Sequence, residues 1–353
     1  MKVVDIRNVF EKRRIQLFYV DDDFIYYAEE KLQGELSNLY ILEYNRDTRR
    51  ERLVTNYTLE DSSFVQHIFA FEETILLVLE NGSSSIWVVE LDRRSGMELS
   101  RRKLNFTGRF YECKAIDANN IIFTAAPDEK SKGFFKQYKA LTKCDTLAYI
   151  YDIEQDKKSF IRCPLISKVG CDSLFTVKTT EGNKLIILDP WGDEETKLYY
   201  FREQRWISAD IRDNIWICDL DSALLELKNG KENLTVRCVA SADIKGMVRY
   251  AAITDKKLYM KATHFKSGVE KICSYDFESK KIEALAELLP CEDNETYYVE
   301  NRTGQTYKLT IDEDKTLVES MMSDFKGKYK TAFGKFVACI ENRFIITCLL
   351  YTS

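Results

Sequence analysis

The chain has 353 residues, 45% of them hydrophobic and 12% aromatic, enough to build a large core. Its 52 basic and 57 acidic residues leave a net charge of −5, which argues against a general nucleic-acid binder, since that surface needs a basic excess. The N-terminus, MKVVDIRNVFEKRR, lacks the apolar core of a signal peptide, and no apolar run reaches membrane-span length, so the cytoplasm is the expected compartment.

The ten cysteines form no CxxC pair. They sit inside apolar strands (Cys218, Cys238, Cys273, Cys339, Cys348) or singly near turns. They read as reduced, small hydrophobic residues.

Helical periodicity is nearly absent. The unit that organises the chain is Phe24–Val54: an apolar strand FIYYA, a polar gap, a second apolar strand NLYILEY, a polar turn, and a basic third strand. It returns about every 46 residues, the sign of a repeat array. The strands opening each unit are FIYYA (24–28), TILLVL (74–79), NIIFTA (120–125), SLFTVK (173–178), NIWIC (214–218), KLYMKA (257–262), TYYVE (296–300) and RFIITCL (343–349). Asp or Asn precedes nearly all of them, as turn-forming residues do. The second strands include NLYILEY (38–44), SIWVVEL (85–91), TLAYIYDI (146–153), NKLIILD (183–189), ALLEL (223–227), VEKICSYDF (269–277) and QTYKLTI (305–311). Most run into a polar turn and then Arg or Lys.

The strand after that turn is more polar: RRERLV, ELSRRKL, KKSFIRC, ENLTVRC, KKIEALA. Strands apolar on both faces must be covered on both faces. A charged outer strand protects a free sheet edge. One unit cannot satisfy both conditions alone, so the units must stack and close.

Ile25-Tyr26-Tyr27 followed by Leu39-Tyr40-Ile41-Leu42, with their echoes, resembles bacterial β-propeller repeats of the type I-Y-Y…L-Y-x-L-D-x-x-T-x-K. The Gly-His and Trp-Asp marks of WD40 repeats and the double glycine of kelch repeats are missing. The resemblance implies an all-β fold: a single closed propeller of four-stranded blades spanning residues 1–353. Eight blade-like units are counted, and seven or eight blades are expected. The N-terminal strand, Lys2 to Val9, is expected to complete the last blade and fasten the ring.

Propellers usually bind ligands at the mouth of the central channel, where loops between the two inner strands lie. The longest such loop is Pro127 to Asp145, and long loops are often functional. Phe134, Phe135, Tyr138 and Leu141 fall at roughly helical spacing there, beside Lys132, Lys136, Lys139 and Lys143. This describes a short amphipathic helix that grips an acidic partner, or an insertion that packs its apolar side onto the propeller. Trp191, in DPWGDEE, is a candidate stacking surface or interface anchor. His264 ends an inner strand at a loop and could face the ligand mouth. His67 reads as a core or channel residue.

The two histidines, far apart in sequence, make no zinc signature. No Walker, Rossmann or nucleophile-elbow motif is present, so no catalytic residue, cofactor or metal is expected. The arginines of the first two units (Arg46, Arg49, Arg50, Arg52, Arg93, Arg94, Arg101, Arg102) read as edge protection, or as a side surface docking in a larger assembly. The function expected is a non-catalytic protein-binding or scaffold propeller whose partner is another protein. The alternative is a carbohydrate-binding or carbohydrate-active propeller that uses channel-mouth carboxylates, Trp191 and His264.

Overall fold

The computed structural model describes residues 2–5, 15–20, 24–33, 36–45, 47–59, 63–81, 85–142, 144, 146–189, 197–200, 205–208, 215–231, 237–239, 246–254, 256–264, 267–288, 295–299, 306–312, 315–321, 326–330, 334–340 and 343–348. Strand β1 is Lys2–Asp5. One sheet follows, of β2 (Ile15–Val20), β3 (Phe24–Gln33), β4 (Leu36–Asn45) and β5 (Arg50–Leu59). The next has β6 (Ser63–Ala70), β7 (Thr74–Asn81), β8 (Ser85–Asp92) and β9 (Glu98–Asn105). Then come β10 (Arg109–Ala115), β11 (Asn120–Ala126), helix α1 (Lys132–Thr142), β12 (Leu147–Asp152) and β13 (Lys157–Ile161).

Helix α2 (Pro164–Val169) leads to a sheet of β14 (Leu174–Thr179), β15 (Gly182–Leu188), β18 (Ile215–Asp219) and β19 (Arg237–Val239). Between β15 and β18 stands a separate ribbon, β16 (Lys197–Tyr200) with β17 (Arg205–Ser208). Helix α3 (Leu220–Lys228) follows β18. Two more sheets complete the series: β20 (Gly246–Ile253), β21 (Lys257–His264), β22 (Glu270–Asp276) and β23 (Ile282–Leu288), then β24 (Glu295–Val299), β25 (Thr306–Asp312), β26 (Lys315–Ser320) and β27 (Lys326–Lys330). The chain returns through β28 (Gly334–Ile340) and β29 (Arg343–Cys348), and β1 joins their sheet by pairing in parallel with β29.

Residues Met1–Leu104 with Cys291–Ser353 form one compact unit, and Asn105–Pro290 another. In the first, Tyr26, Ala28 and Ile41 of one sheet pack on Ile75, Leu77 and Val89 of the next. In the second, Ile122, Ala148 and Ile150 pack on Leu185, Ile187 and Trp216, and on Leu165 and Leu220 of the two helices. A further cluster joins Ile186, Leu188 and Ile215 to Leu258, Met260 and Tyr275. Strands β11 and β12 are buried at nearly every position, so both their faces are covered. Strands β5 and β9 are largely exposed, and β13 is exposed at Lys157 and Lys158, as their charged sequences require.

Three expectations are corrected here. The units opening at Ser173 and Asn214 are not separate: β14 and β18 belong to one sheet, because β15 pairs with both. The described residues therefore form seven sheets of three or four strands plus the β16–β17 ribbon, not eight units. ALLEL (223–227) is not a strand but part of α3. Asp219 caps that helix by accepting the Ser222 N–H at 2.9 Å, and Leu220, Ala223 and Leu227 share its buried face. Finally, most opening strands are second in their sheets: β2, β6, β10 and β20 precede them, so the long loop joins the second and third strands of its sheet.

The third and fourth strands are joined by one recurring turn. Asn45, Asp92, Asp152 and Asp276 each accept a backbone N–H three residues on, at 2.7, 2.6, 2.9 and 2.7 Å. The residue four positions on adopts positive φ each time: Arg49, Gly96, Asp156 and Lys280.

Candidate functional site

The loop between β11 and β12 holds α1. Ser131 and Asp128 fix its start: Asp128 Oδ1 accepts the Ser131 N–H at 2.8 Å, and the Ser131 carbonyl takes the Phe135 N–H at 3.0 Å. The Ser131 hydrogen bonds hold the Asp128 carboxyl below its ordinary range. Phe135 points inward and is 4% exposed. It lies against Gly108 (φ +94°), where a Cβ would stand 2.8 Å from Phe135 Cε2 and 2.5 Å from the Ala126 carbonyl. The ring's seat therefore requires glycine.

The other face of α1 is open. Phe134 is 44% and Leu141 86% exposed. The Phe134 ring stacks on half-buried Tyr138 at 6.1 Å and 18° between planes. Lys132, Lys136 and Lys139 are exposed around them. The helix thus presents an apolar stripe flanked by cations, while one aromatic anchors it. The sequence grouped Phe134 and Phe135 together, but successive helical residues are about 100° apart, and only one can face the sheet.

His264 lies at the end of β21, beside a pocket of about 460 Å³ lined also by Ser267, Lys271, Cys273 and Glu287. Its Nδ1 accepts the Ser267 N–H at 3.2 Å, so in the neutral ring the proton sits on Nε2. Lys271 and Glu287 pair at 3.7 Å beside the ring. Another pocket, of about 440 Å³, is bordered by Glu181, Lys184, Asp219 and Glu226. Its polar groups serve one another: Lys184 bonds Asp219 at 2.8 Å and holds that carboxyl down at about 2.

Trp191 and Lys143 lie outside the described residues. His67 is half-buried in β6, stacked on Phe69 at 5.6 Å. The structure thus separates the candidates: α1 sits on the β10–β13 sheet and His264 on the β20–β23 sheet, and nothing described brings them together. Among the described residues no three His, Cys, Asp or Glu side chains are placed to hold a metal ion. Among the described residues no helix is long and apolar enough to cross a membrane. Sequence reading missed Gly108, Ser131 and Ser267, whose roles depend on backbone approach and local capping; the Ser before a Lys-Gly-Phe-Phe run was a readable cap signal.

No family model matches the chain, and no characterised protein matches it in sequence. Solved structures resemble it. An oligogalacturonate lyase from Vibrio parahaemolyticus aligns over 93% of this chain and 79% of its own, at 11% identity and a TM-score of 0.51. The β-propeller domain of the trilobed protease from Pyrococcus furiosus aligns over 94% and 87%, at 12% identity and a TM-score of 0.49. An uncharacterized protein from Listeria monocytogenes aligns over 94% and 85%, at 11% identity and a TM-score of 0.48. At such identity the likeness concerns fold alone, an all-β architecture of many antiparallel sheets.

Proposed function

We propose that the chain is a single seven-bladed propeller, fastened where β1 pairs with β29, and that it serves as a non-catalytic binding module in the cytoplasm. Its partner is another protein, which presents an acidic segment to the open face of α1. The observation that carries this reading is the exposure of Phe134 and Leu141 among Lys132, Lys136 and Lys139, on a helix anchored by Phe135. Apolar groups supply the contact and the lysines supply charge complementarity.

The test is a photo-crosslinking residue placed at Phe134 in the full chain, followed by identification of the captured protein. Capture of one protein through an acidic segment is expected, with loss when Lys136 and Lys139 are changed to Glu. Capture undiminished by that reversal overturns the reading.

A second reading is a carbohydrate-binding or carbohydrate-active propeller. The pocket beside His264 favours it, with Nε2–H, Lys271 and Glu287 bordering a volume in the range of small-ligand sites. Titration with neutral and acidic oligosaccharides, against His264→Ala, separates the two.

A further inference from the structure

The end of the β10–β13 sheet that carries α1 also carries a smaller cavity. The register places Arg109 beside Ala126, Ala125 beside Leu147 and Ala148 beside Ile161, so these strand ends meet there with α2. The cavity measures about 220 Å³, and its lining includes Tyr111, Glu112, Thr124, Thr146, Ile166 and Ser167. That is below the ~300 Å³ of ordinary small-molecule sites and suits a single side chain.

The chemistry of its lining is one-sided. Glu112 is half-buried and anchored, its Oε2 accepting the Cys171 N–H at 2.5 Å. Among the described residues no Lys or Arg pairs with it. Lys114, the next residue on the same face of β10, lies over the Phe175 ring at 5.6 Å instead. Thr146 Oγ1 is buried with no hydrogen-bond partner among the described residues. Ser167 Oγ donates to the Thr146 carbonyl at 3.0 Å, and its lone pairs remain for a donor from outside. Tyr111 is 59% exposed, a large ring beside the carboxylate.

We infer that this cavity receives one cationic side chain, arginine or lysine, whose N–H groups bond the Glu112 carboxylate and the Thr146 and Ser167 hydroxyl oxygens while its stem lies on Tyr111. Carboxylate and hydroxyl acceptors facing one small space satisfy a guanidinium or ammonium, and an aromatic face beside them adds cation–π attraction. An anionic or purely apolar side chain would leave Thr146 Oγ1 unsatisfied or would meet Glu112 unfavourably. This inference does not depend on the α1 reading, since its probes are single blocked amino acids.

The experiment is a methyl NMR titration of the full chain with N-acetyl-arginine-N-methylamide and N-acetyl-lysine-N-methylamide, with the norleucine analogue as the uncharged control. Saturable shifts at the Thr124, Thr146 and Ile166 methyls are expected with at least one cation and not with norleucine. Glu112→Gln keeps an oxygen for the Cys171 N–H and is expected to weaken binding about tenfold or more. Thr146→Val, of the same shape, and Tyr111→Ala, at an exposed position, are each expected to weaken it less. Absence of saturation with both cations, equal response to norleucine, or unchanged affinity in both Glu112→Gln and Thr146→Val overturns the inference.

Discussion

The guanidinium of Arg93 lies 4.3 Å from the ring centroid of Tyr26, in the neighbouring sheet, and 4.5 Å from that of Tyr19. Arg93 is buried, and it also donates to the Phe71 carbonyl at 3.1 Å. Tyr26 in turn donates to Glu43 at 2.5 Å, and Glu43 takes both arms of Arg52 at 3.1 Å. The arginine therefore ties the β6–β9 sheet to the β2–β5 sheet through contacts with both rings that the compact ammonium of lysine copies only in part. Arg93→Ala is expected to cost about 2–3 kcal/mol and Arg93→Lys about half of that, from the lost cation–π contacts and hydrogen bond. Denaturant midpoints measure both; a loss no greater than that at exposed Arg94 would show that these contacts contribute nothing.

The recurring turn yields a prediction of opposite sign. Arg49 and Gly96 occupy the same position of it, at φ of +56° and +70°. A side chain at positive φ costs about 1 kcal/mol or more, and glycine does not bear that cost. Arg49→Gly is therefore expected to stabilise the protein by about 0.5–1 kcal/mol, after allowing for glycine's freedom in the unfolded chain. Gly96→Ala is expected to destabilise it by more than that gain, because its Cβ would collide with the Val54 carbonyl. Thermal unfolding of the two variants checks the pair, and equal signs would refute the account.

These turns also show why the strands were legible. Leu76 and Leu77, and Ile122 and Phe123, take opposite faces of their strands and are all buried, so doubly apolar strands stand out in sequence, and the charged turns and edges frame them. The grouping of strands into sheets was less legible. β15 pairs with β18 across a stretch that includes the β16–β17 ribbon, and no local signal distinguishes that long-range pairing from the start of a new unit. Helix α3 was hidden because ALLEL satisfies both a strand and a helix pattern; the Asp219 cap decides it. At the candidate site the helix itself was readable from spacing. Which phenylalanine turns inward was not, because that depends on Gly108, in the turn before β10.

Gly108 provides a structural test of the helix seat. Gly108→Ala places a Cβ within 2.8 Å of the Phe135 ring and 2.5 Å of the Ala126 carbonyl, at a φ that alanine resists. The expected loss is about 2–4 kcal/mol, similar to other overpacking at strained backbone. Phe135→Ala is expected to cost about 3 kcal/mol by leaving a cavity, whereas Phe134→Ala, at an exposed ring, is expected to cost under about 1. Limited proteolysis between residues 127 and 145 reads the outcome directly. Faster cleavage in Gly108→Ala and Phe135→Ala, and not in Phe134→Ala, is expected; equal rates in all three would remove Phe135 as the anchor.

The alkaline limb of stability follows from buried tyrosines and thiols. Burial, aided by the bond to Glu43, raises the Tyr26 hydroxyl to about 12, and burial raises Tyr149 further. Burial likewise lifts the thiols of Cys163, Cys171 and Cys218 to about 12. In the unfolded chain these groups lose their protons at about 8.5–10. Each raised group thus contributes stability that is fully present below its unfolded value and lost as pH climbs toward its folded one. The denaturant midpoint is expected to hold steady from neutrality to about pH 8.5, then to fall continuously toward pH 12. The share of tyrosinate absorbance that disappears in Tyr26→Phe and Tyr149→Phe is expected to rise with unfolding rather than ahead of it, while exposed rings such as Tyr111 titrate earlier. A midpoint flat through pH 11, or ionisation of Tyr26 and Tyr149 themselves in the folded protein near pH 10, would mean that water reaches these groups in the native state.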